Sequence, residues 1–461
     1  MSDSAAAPKK GGSGLILAVV YVTVLFFIWA FVTNLVDPLV KSMMVIYHLS
    51  NVEAQLNQFA FFIAYGIMSI PSAWYLSKYG YANSIVVGLI GIIAGCLIAF
   101  CTGFAHTFVT VLIGLFVAAS GITLLQVAAN PLIAAMGDPK GSSVRLNLSQ
   151  AFNSMGAFAG GIFGAVFLLK GPLFDKGITP TQAMKDQGLH FVTNVYFEIA
   201  VVFAIFTLAV FLVRNTIAAH SPARATHVES PFAALSSKWA NLGSLGIFLY
   251  VGAEVCVISG MIFFLEQSQI MNLPSQIAGC VGPYFMLMAM FGRFIGSWLM
   301  TFVKATTMLT IVALGAIILC IFVIATYHMT STPMSGTLPI YTFPGWYQAP
   351  LASGFFPGLA AILIGLFNSI MFPTIFTLTL ERSSAPASAT SGLMCMAICG
   401  GGFISVAYGF AVDQFLHHFP VGARSLAFAV PLVCYLYVLW FALAARKAPV
   451  HAIEEGVSAG H

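Results

Sequence analysis

The sequence predicts an all-α membrane protein of twelve transmembrane helices arranged as two six-helix bundles. Three observations carry that prediction. Of 461 residues, 59% are hydrophobic and only 7% are charged. The apolar residues fall into twelve runs, grouped six and six about one polar stretch. Lys and Arg crowd the connections on one side of those runs.

The composition comes first because it excludes most alternatives. An ordinary soluble domain carries roughly 25% charged residues, so this chain cannot cover a water-facing surface and must face lipid. A mean hydropathy of +0.95 and 41 Phe residues agree with that. The net charge of +4 is spread over loops, and no basic stripe suggests nucleic acid.

The runs come second. Crossing a bilayer takes about 20 apolar residues. Such runs lie near 14–43, 54–77, 83–104, 107–135, 145–170 and 190–213, then near 242–270, 276–302, 304–327, 355–380, 390–415 and 426–445. The expected organisation is an N-terminal tail 1–13, a first bundle 14–213, a linker 214–241, a second bundle 242–445 and a tail 446–461. The linker holds Arg214, His220, Pro222, Arg224, His227, Glu229, Pro231 and Lys238 and is too polar to span. The loop 328–354 is rich in Pro, Thr and aromatics with almost no charge. It is expected to lie on the lipid boundary as a surface loop, or to form a lid. Lys9-Lys10 precede an apolar run too long for a signal peptide and without a cleavage site, so that run is expected to be the first span.

Orientation comes third. With the N-terminus in the cytoplasm, that side holds Lys9, Lys10, Lys78, Lys140, Arg145, Arg214, Arg224, Lys238, Lys304, Arg382, Arg446 and Lys447. The other side holds Lys41, Lys170, Lys176, Lys185 and Arg424, with Arg293 near a cytoplasmic helix end. Both termini are therefore expected in the cytoplasm.

Polar groups inside apolar spans are costly and mark functional positions. Asp37 in span one is followed by Pro38, which disfavours regular helix just before it. Irregular backbone is tolerated only within protein or beside a water-filled cavity. Thr33 and Asn34 share the face of Asp37. Such a carboxylate can bind hydroxyl groups, or take up a proton where burial disfavours its charge; a structural helix-end carboxylate is the competing reading. Gln126 and Asn130 share a face of span four, and Asn147, Gln150 and Asn153 step along one side of span five. Amides donate and accept, which suits a neutral polyol, although bonding between helices competes. In the second half the candidates are Glu254, Tyr250 one turn before it, and Asn368. Glu266 and Asp413 lie near helix ends, where interfacial water explains them; Glu198 in span six is ambiguous. Gly160-Gly161 and Gly400-Gly401-Gly402 allow close helix approach, for rocking of the halves or for dense packing alone.

A trace of repetition accompanies these. Gln126 stands five residues before Pro131, and Asn368 five before Pro373, at equivalent spans of the two halves. Transporters built from repeats bind substrate between them near the midplane. The eight cysteines lie in apolar runs and the ten histidines in loops or near helix ends, so no metal or cofactor is expected. There is no GxxxxGK[ST] loop for an ATP-driven pump, nor a GxSxG or HExxH motif, so no enzyme is expected.

At this point a family resemblance enters. Arg145-Leu146-Asn147-Leu148-Ser149-Gln150-Ala151-Phe152-Asn153-Ser154-Met155-Gly156 resembles the span-five signature of the fucose permease type of sugar–proton symporter, within the major facilitator superfamily. Asn34-Leu35-Val36-Asp37, Ala128-Ala129-Asn130-Pro131, Tyr250-Val251-Gly252-Ala253-Glu254, Gly292-Arg293-Phe294, Pro373-Thr374-Ile375-Phe376 and the triple glycine match in order. The resemblance implies a two-bundle facilitator fold, alternating access and monosaccharide transport. It also implies that Asp37 is the family's essential carboxylate and that Gln150 and Asn153 are sugar-facing amides. Gln126 stands where the fucose carriers have an acid, Glu254 where they have an amide, and Phe372 where they have a Tyr. The first two features resemble the glucose/galactose branch. Ser77-Lys78-Tyr79-Gly80 is a degraded form of the superfamily's charged loop signature.

The expectation is thus a monomeric importer of a monosaccharide, coupled to a proton, in a bacterial inner membrane. Asp37 and Glu254 would carry coupling. Asn34, Asp37, Gln126, Asn130, Gln150, Asn153, Glu254 and Asn368 would contact the sugar. Sodium coupling, or a sugar sensor that moves nothing, are the alternatives.

Overall fold

Twelve helical stretches are long and apolar enough to cross a membrane in the computed structural model, which describes residues 13–136, 142–175, 180–221, 230–342 and 345–450. Expectations that rest on the two tails, on Lys140 and Lys176, and on the middle of the linker fall outside those residues. Spans one to six are Gly14–Tyr47, Asn51–Tyr79, Tyr81–Ala105, Phe108–Asn130, Ser149–Leu168 and Gln182–Ala219. Spans seven to twelve are Lys238–Leu265, Ser275–Leu299, Ala305–Ala325, Phe355–Arg382, Ala389–His418 and Ala423–Ala445. Short connections between successive spans alternate their direction. One end of the molecule, the terminal face, therefore carries both ends of the described chain.

The outside of the molecule is apolar. Phe104, Leu212 and Phe302 are 73%, 72% and 76% exposed, which water would penalise and lipid does not. Glu198 lies exposed on span six.

Small residues set the helix spacing. Gly91 of span three rests on Gly121 of span four, where an added Cβ would stand 2.9 Å from the Gly121 Cα. The two glycine clusters named by sequence repeat one arrangement in each half. Gly160 abuts Phe31 of span one while its neighbour Gly161 abuts Pro283 of span eight in the other half. Gly400 abuts Phe248 of span seven while Gly401 and Gly402 abut Phe62 and Phe59 of span two, again across the halves. Small-residue contact is how helices associate where lipid removes the hydrophobic drive.

Two expectations need correction. The helix break in span one does not fall at Asp37. The helix Ser13–Asn34 ends, Leu35 makes a turn, and Val36–Tyr47 resumes with Asp37 and Pro38 inside it. The proline ring clashes with the carbonyl four residues back, at Asn34, so the interruption lands one turn earlier. The long loop is a β-hairpin: β1 Pro333–Tyr341 pairs antiparallel with β2 Trp346–Ala352. Paired strands satisfy backbone groups that a bare loop at a membrane boundary would strand. Its far end reaches back to span eight, where the Tyr284 hydroxyl donates to the Tyr341 carbonyl at 3.4 Å. The face carrying it is called the hairpin face.

Polar contacts between the halves gather at the hairpin face. Lys41 Nζ donates to Glu266 Oε2 at 2.7 Å. Asp413 accepts from Asn51 Nδ2 at 2.6 Å and from the backbone N–H groups of Asn51 and Val52 at 3.2 and 2.9 Å. Arg424 donates to Asn51 Oδ1 at 2.9 Å. Phe263 lies between the two cations, with Lys41 and Arg424 each 4.8 Å from its ring centre. The Asp413 charge also complements the positive end of span two. Interfacial water does not account for Glu266 and Asp413. They are ligated by the opposite half, and both are only partly exposed.

Candidate functional site

Span one carries Asp37 two residues past the turn at Leu35, in the part of the span nearer the hairpin face. The partners expected from shared helix face are otherwise engaged. Thr33 donates to the Trp29 carbonyl at 2.8 Å and Asn34 to the Ala30 carbonyl at 2.9 Å. These bonds cover carbonyls of the helical turn before the break. Asp37 instead accepts from Gln58 Nε2 of span two at 2.7 Å. Gln58 was not among the sequence candidates. It lies in a run with buried Asn57, Phe61 and Phe62, and an amide so placed, able to reach a carboxylate, was the available signal.

Span four supplies Gln126, whose Nε2 donates to the Tyr65 hydroxyl at 2.9 Å. Tyr65 is a second residue that sequence reasoning missed. Phe62 stacks on it with ring centres 5.9 Å apart. One turn on, Asn130 Oδ1 is buried without a hydrogen-bond partner. In span five Asn153 Nδ2 donates to the Phe26 carbonyl of span one at 3.3 Å. Gln150 is half-buried on the same side. The first half thus supplies a carboxylate bonded to the Gln58 amide, four further amides on spans four and five, and one tyrosine hydroxyl packed on an aromatic ring. That set suits a polyol, which offers hydroxyl groups for donors and acceptors alike and apolar ring faces for the aromatics.

In the second half, span ten breaks at its middle. The helix Phe355–Asn368 ends and Met371–Arg382 resumes after an open turn at Ser369 and Ile370. Broken helices are tolerated at this depth only inside protein or beside a cavity. Tyr250 of span seven donates its hydroxyl proton to the Asn368 carbonyl at 3.0 Å. The same hydroxyl lies beside the Glu254 carboxyl one turn along; a phenol has one proton and cannot serve both. The side chain of Asn368 is fully buried and neither amide atom has a well-formed hydrogen bond, although the Tyr435 hydroxyl stands beside it. Phe372, just past the break, packs on Tyr250 with ring centres 6.4 Å apart.

The sequence candidates therefore fall into two groups. Asp37, Gln126, Asn130, Gln150 and Asn153 belong to the first half, with Asn34 turned onto its own helix. Glu254 and Asn368 belong to the second. Cross-half contact near them comes from Arg293, whose Nη1 donates to Ser154 Oγ of span five at 2.7 Å.

Known proteins share this architecture. The sequence profile of the Major Facilitator Superfamily matches residues 22–406. A glucose/galactose transporter of Brucella abortus is 33% identical over 94% of this chain and 94% of its own length. The L-fucose-proton symporter of Escherichia coli is 28% identical over 91% of this chain and 90% of its own. The crystal structure of the transporter FucP in its outward conformation covers 94% of this chain and 99% of its own, at 26% identity and a TM-score of 0.63. A D-xylose-proton symporter, at 12% identity and a TM-score of 0.65, shares the fold. With twelve spans in two halves and a family match over most of its length, the chain is a multi-pass membrane protein that belongs to the Major Facilitator Superfamily.

Proposed function

We propose that the protein imports a monosaccharide of the glucose/galactose kind, coupled to a proton, by alternating access. One observation carries the reading. A carboxylate in span one, just past a helix break, is matched with a neutral amide rather than a cation, and further amides stand on spans four and five of the same half. A neutral partner leaves Asp37 free to bind and release a proton without stranding a counter-charge. The amides supply the directional bonds that recognise sugar hydroxyls. The relatives named for glucose/galactose and fucose transport support the substrate class.

In this reading the units that rock are 14–213 and 242–445, joined by the linker 214–241, with both termini in the cytoplasm of a bacterial inner membrane. The hairpin face is then external and closed, so the protein rests facing inward. Protonated Asp37 and sugar enter together from outside and leave together inside. Asp37, Gln126, Asn130, Gln150 and Asn153 hold the sugar from the first half; Glu254 and Asn368 complete the site from the second.

The test is uptake of a labelled sugar panel into proteoliposomes under an imposed proton gradient, then under an imposed sodium gradient. Uphill uptake of a hexose driven by acid outside supports the proposal. Uptake that needs sodium and ignores pH replaces the coupling ion, and no uptake of any sugar overturns the reading.

A further inference from the structure

Arg293 is a half-buried cation six residues before the end of span eight at Leu299, and nothing in the proposed cycle has used it. By a rise of about 1.5 Å per residue it lies about 27 Å along span eight from the hairpin face. Helical side chains point back toward their own N-terminus, which carries the guanidinium up toward the middle of the protein. Its position is set by a close helix crossing. Gly292 packs against span ten so tightly that a Cβ there would stand 2.7 Å from the Ser369 Cβ.

The contacts of Arg293 reach both halves. Its Nε donates to the Ser369 carbonyl at 3.4 Å, in the open turn of span ten. Tyr250 takes the neighbouring Asn368 carbonyl, so these two side chains serve adjacent backbone carbonyls at that break. Nη1 donates to Ser154 Oγ at 2.7 Å. Ser154 in turn donates to the Gln150 carbonyl at 3.2 Å and adjoins Asn153, so it sits on the amide side of span five. The Arg293 charge also attracts the Glu254 carboxyl, which stands one turn from Tyr250. A planar guanidinium can serve these directions at once; an ammonium cannot.

We propose that Arg293 is a positioning residue of the sugar site, holding the open turn of span ten and Glu254 in one half in register with the amide side of span five in the other. This rests on the transport reading above. The orientation of Glu254 toward the sugar then depends on Arg293. Closure of the site around sugar passes through the Arg293–Ser154 bond.

The experiment uses the full-length protein in proteoliposomes and reads sugar counterflow, with KM and maximal rate for each variant. Arg293→Gln should lose counterflow at least tenfold. Arg293→Lys keeps the charge and loses the fork, so it should retain several times the rate of Arg293→Gln. Ser154→Ala should raise KM about threefold or more with a smaller change in maximal rate. The double variant Arg293→Gln with Glu254→Gln should recover part of the loss, because it strands no charge. Glu254→Gln is measured alone beside these, and the inference is overturned if the two single losses multiply in the double variant, or if Arg293→Gln matches the parent. If the parent exchanges no sugar at all, the transport reading has failed. Melting of Arg293→Gln and the double variant in detergent then decides whether Arg293 acts on Glu254: a double variant melting above Arg293→Gln supports it, and one melting no higher sinks it.

Discussion

The acids in the middle of the protein and the acids at the hairpin face are held in opposite ways. Asp413 is saturated: two backbone N–H groups and one amide from the other half converge on it. Glu266 carries the Lys41 ammonium across the same junction. Asp37 has a single amide, Gln58, and Glu254 is attracted by Arg293 and flanked by Tyr250. A carboxylate saturated from the other half is a fastener that must be pulled apart whenever the halves separate there. A carboxylate with bonding capacity left over can exchange partners, and a transport site needs that. The difference also separates the two central acids. Asp37 faces a neutral partner and can change its charge alone. Glu254 has Arg293 in its own half and is better placed to orient sugar.

The largest expected effect breaks the comparison at Asp37. Asp37→Asn keeps the shape and the bonding capacity and removes the titrating group. Counterflow should persist within severalfold of the parent, while proton-driven accumulation falls to the level of equilibration. Uphill, pH-driven uptake by this variant would refute the role. Next comes Glu254→Gln, which keeps the shape and the bonding capacity and removes the charge. Losing a charged group that bonds the sugar costs roughly 1.5–3 kcal/mol, so a loss of about tenfold or more in sugar affinity is expected, read by equilibrium binding of labelled sugar. If instead binding is intact and only accumulation fails, Glu254 shares the coupling and the contrast between the two acids is wrong.

A third test sharpens the contrast at the hairpin face. Asp413→Asn removes charge-assisted bonds worth roughly 1.5–3 kcal/mol each. Even one such loss corresponds to a shift of tenfold or more in the balance between closed and open states, at about 1.4 kcal/mol per tenfold. Spin labels at His106 and Val421, on hairpin-face loops of opposite halves, should report a larger population of long distances in this variant. An unchanged distance distribution would remove the fastening role. The smallest effect is expected at the amides. Asn153→Ala gives up one neutral bond, worth roughly 0.5–1.5 kcal/mol, so KM should rise severalfold at most with expression unchanged.

Part of the site was legible without coordinates, because an acid or an amide inside a run of Phe, Leu and Val is costly in lipid and stands out at once. Asp37, Glu254 and the amides of spans four and five became candidates in this way. Gln58 and Tyr65 were not, since an amide or a tyrosine near a helix start is unremarkable until its partner on another helix is known. Glu266 and Asp413 were misjudged for the converse reason. Near a helix end water is always available as an explanation, and only the approach of Lys41, Asn51 and Arg424 from other helices removes it.

What the sequence by itself determined is the twelve spans, their division into two sixes, and the polar residues buried in them. Hydropathy and helix length are properties of consecutive residues, and the bilayer thickness converts them directly into spans. Only the tertiary structure decided which of those polar residues meet, which face of the molecule is fastened, and where each helix breaks. Those depend on contacts between residues far apart in the chain, such as Arg293 with Ser154 and Asn51 with Asp413. Their partners are chosen by helix packing, which the glycines of spans five, eight and eleven make close enough for short polar bonds to form.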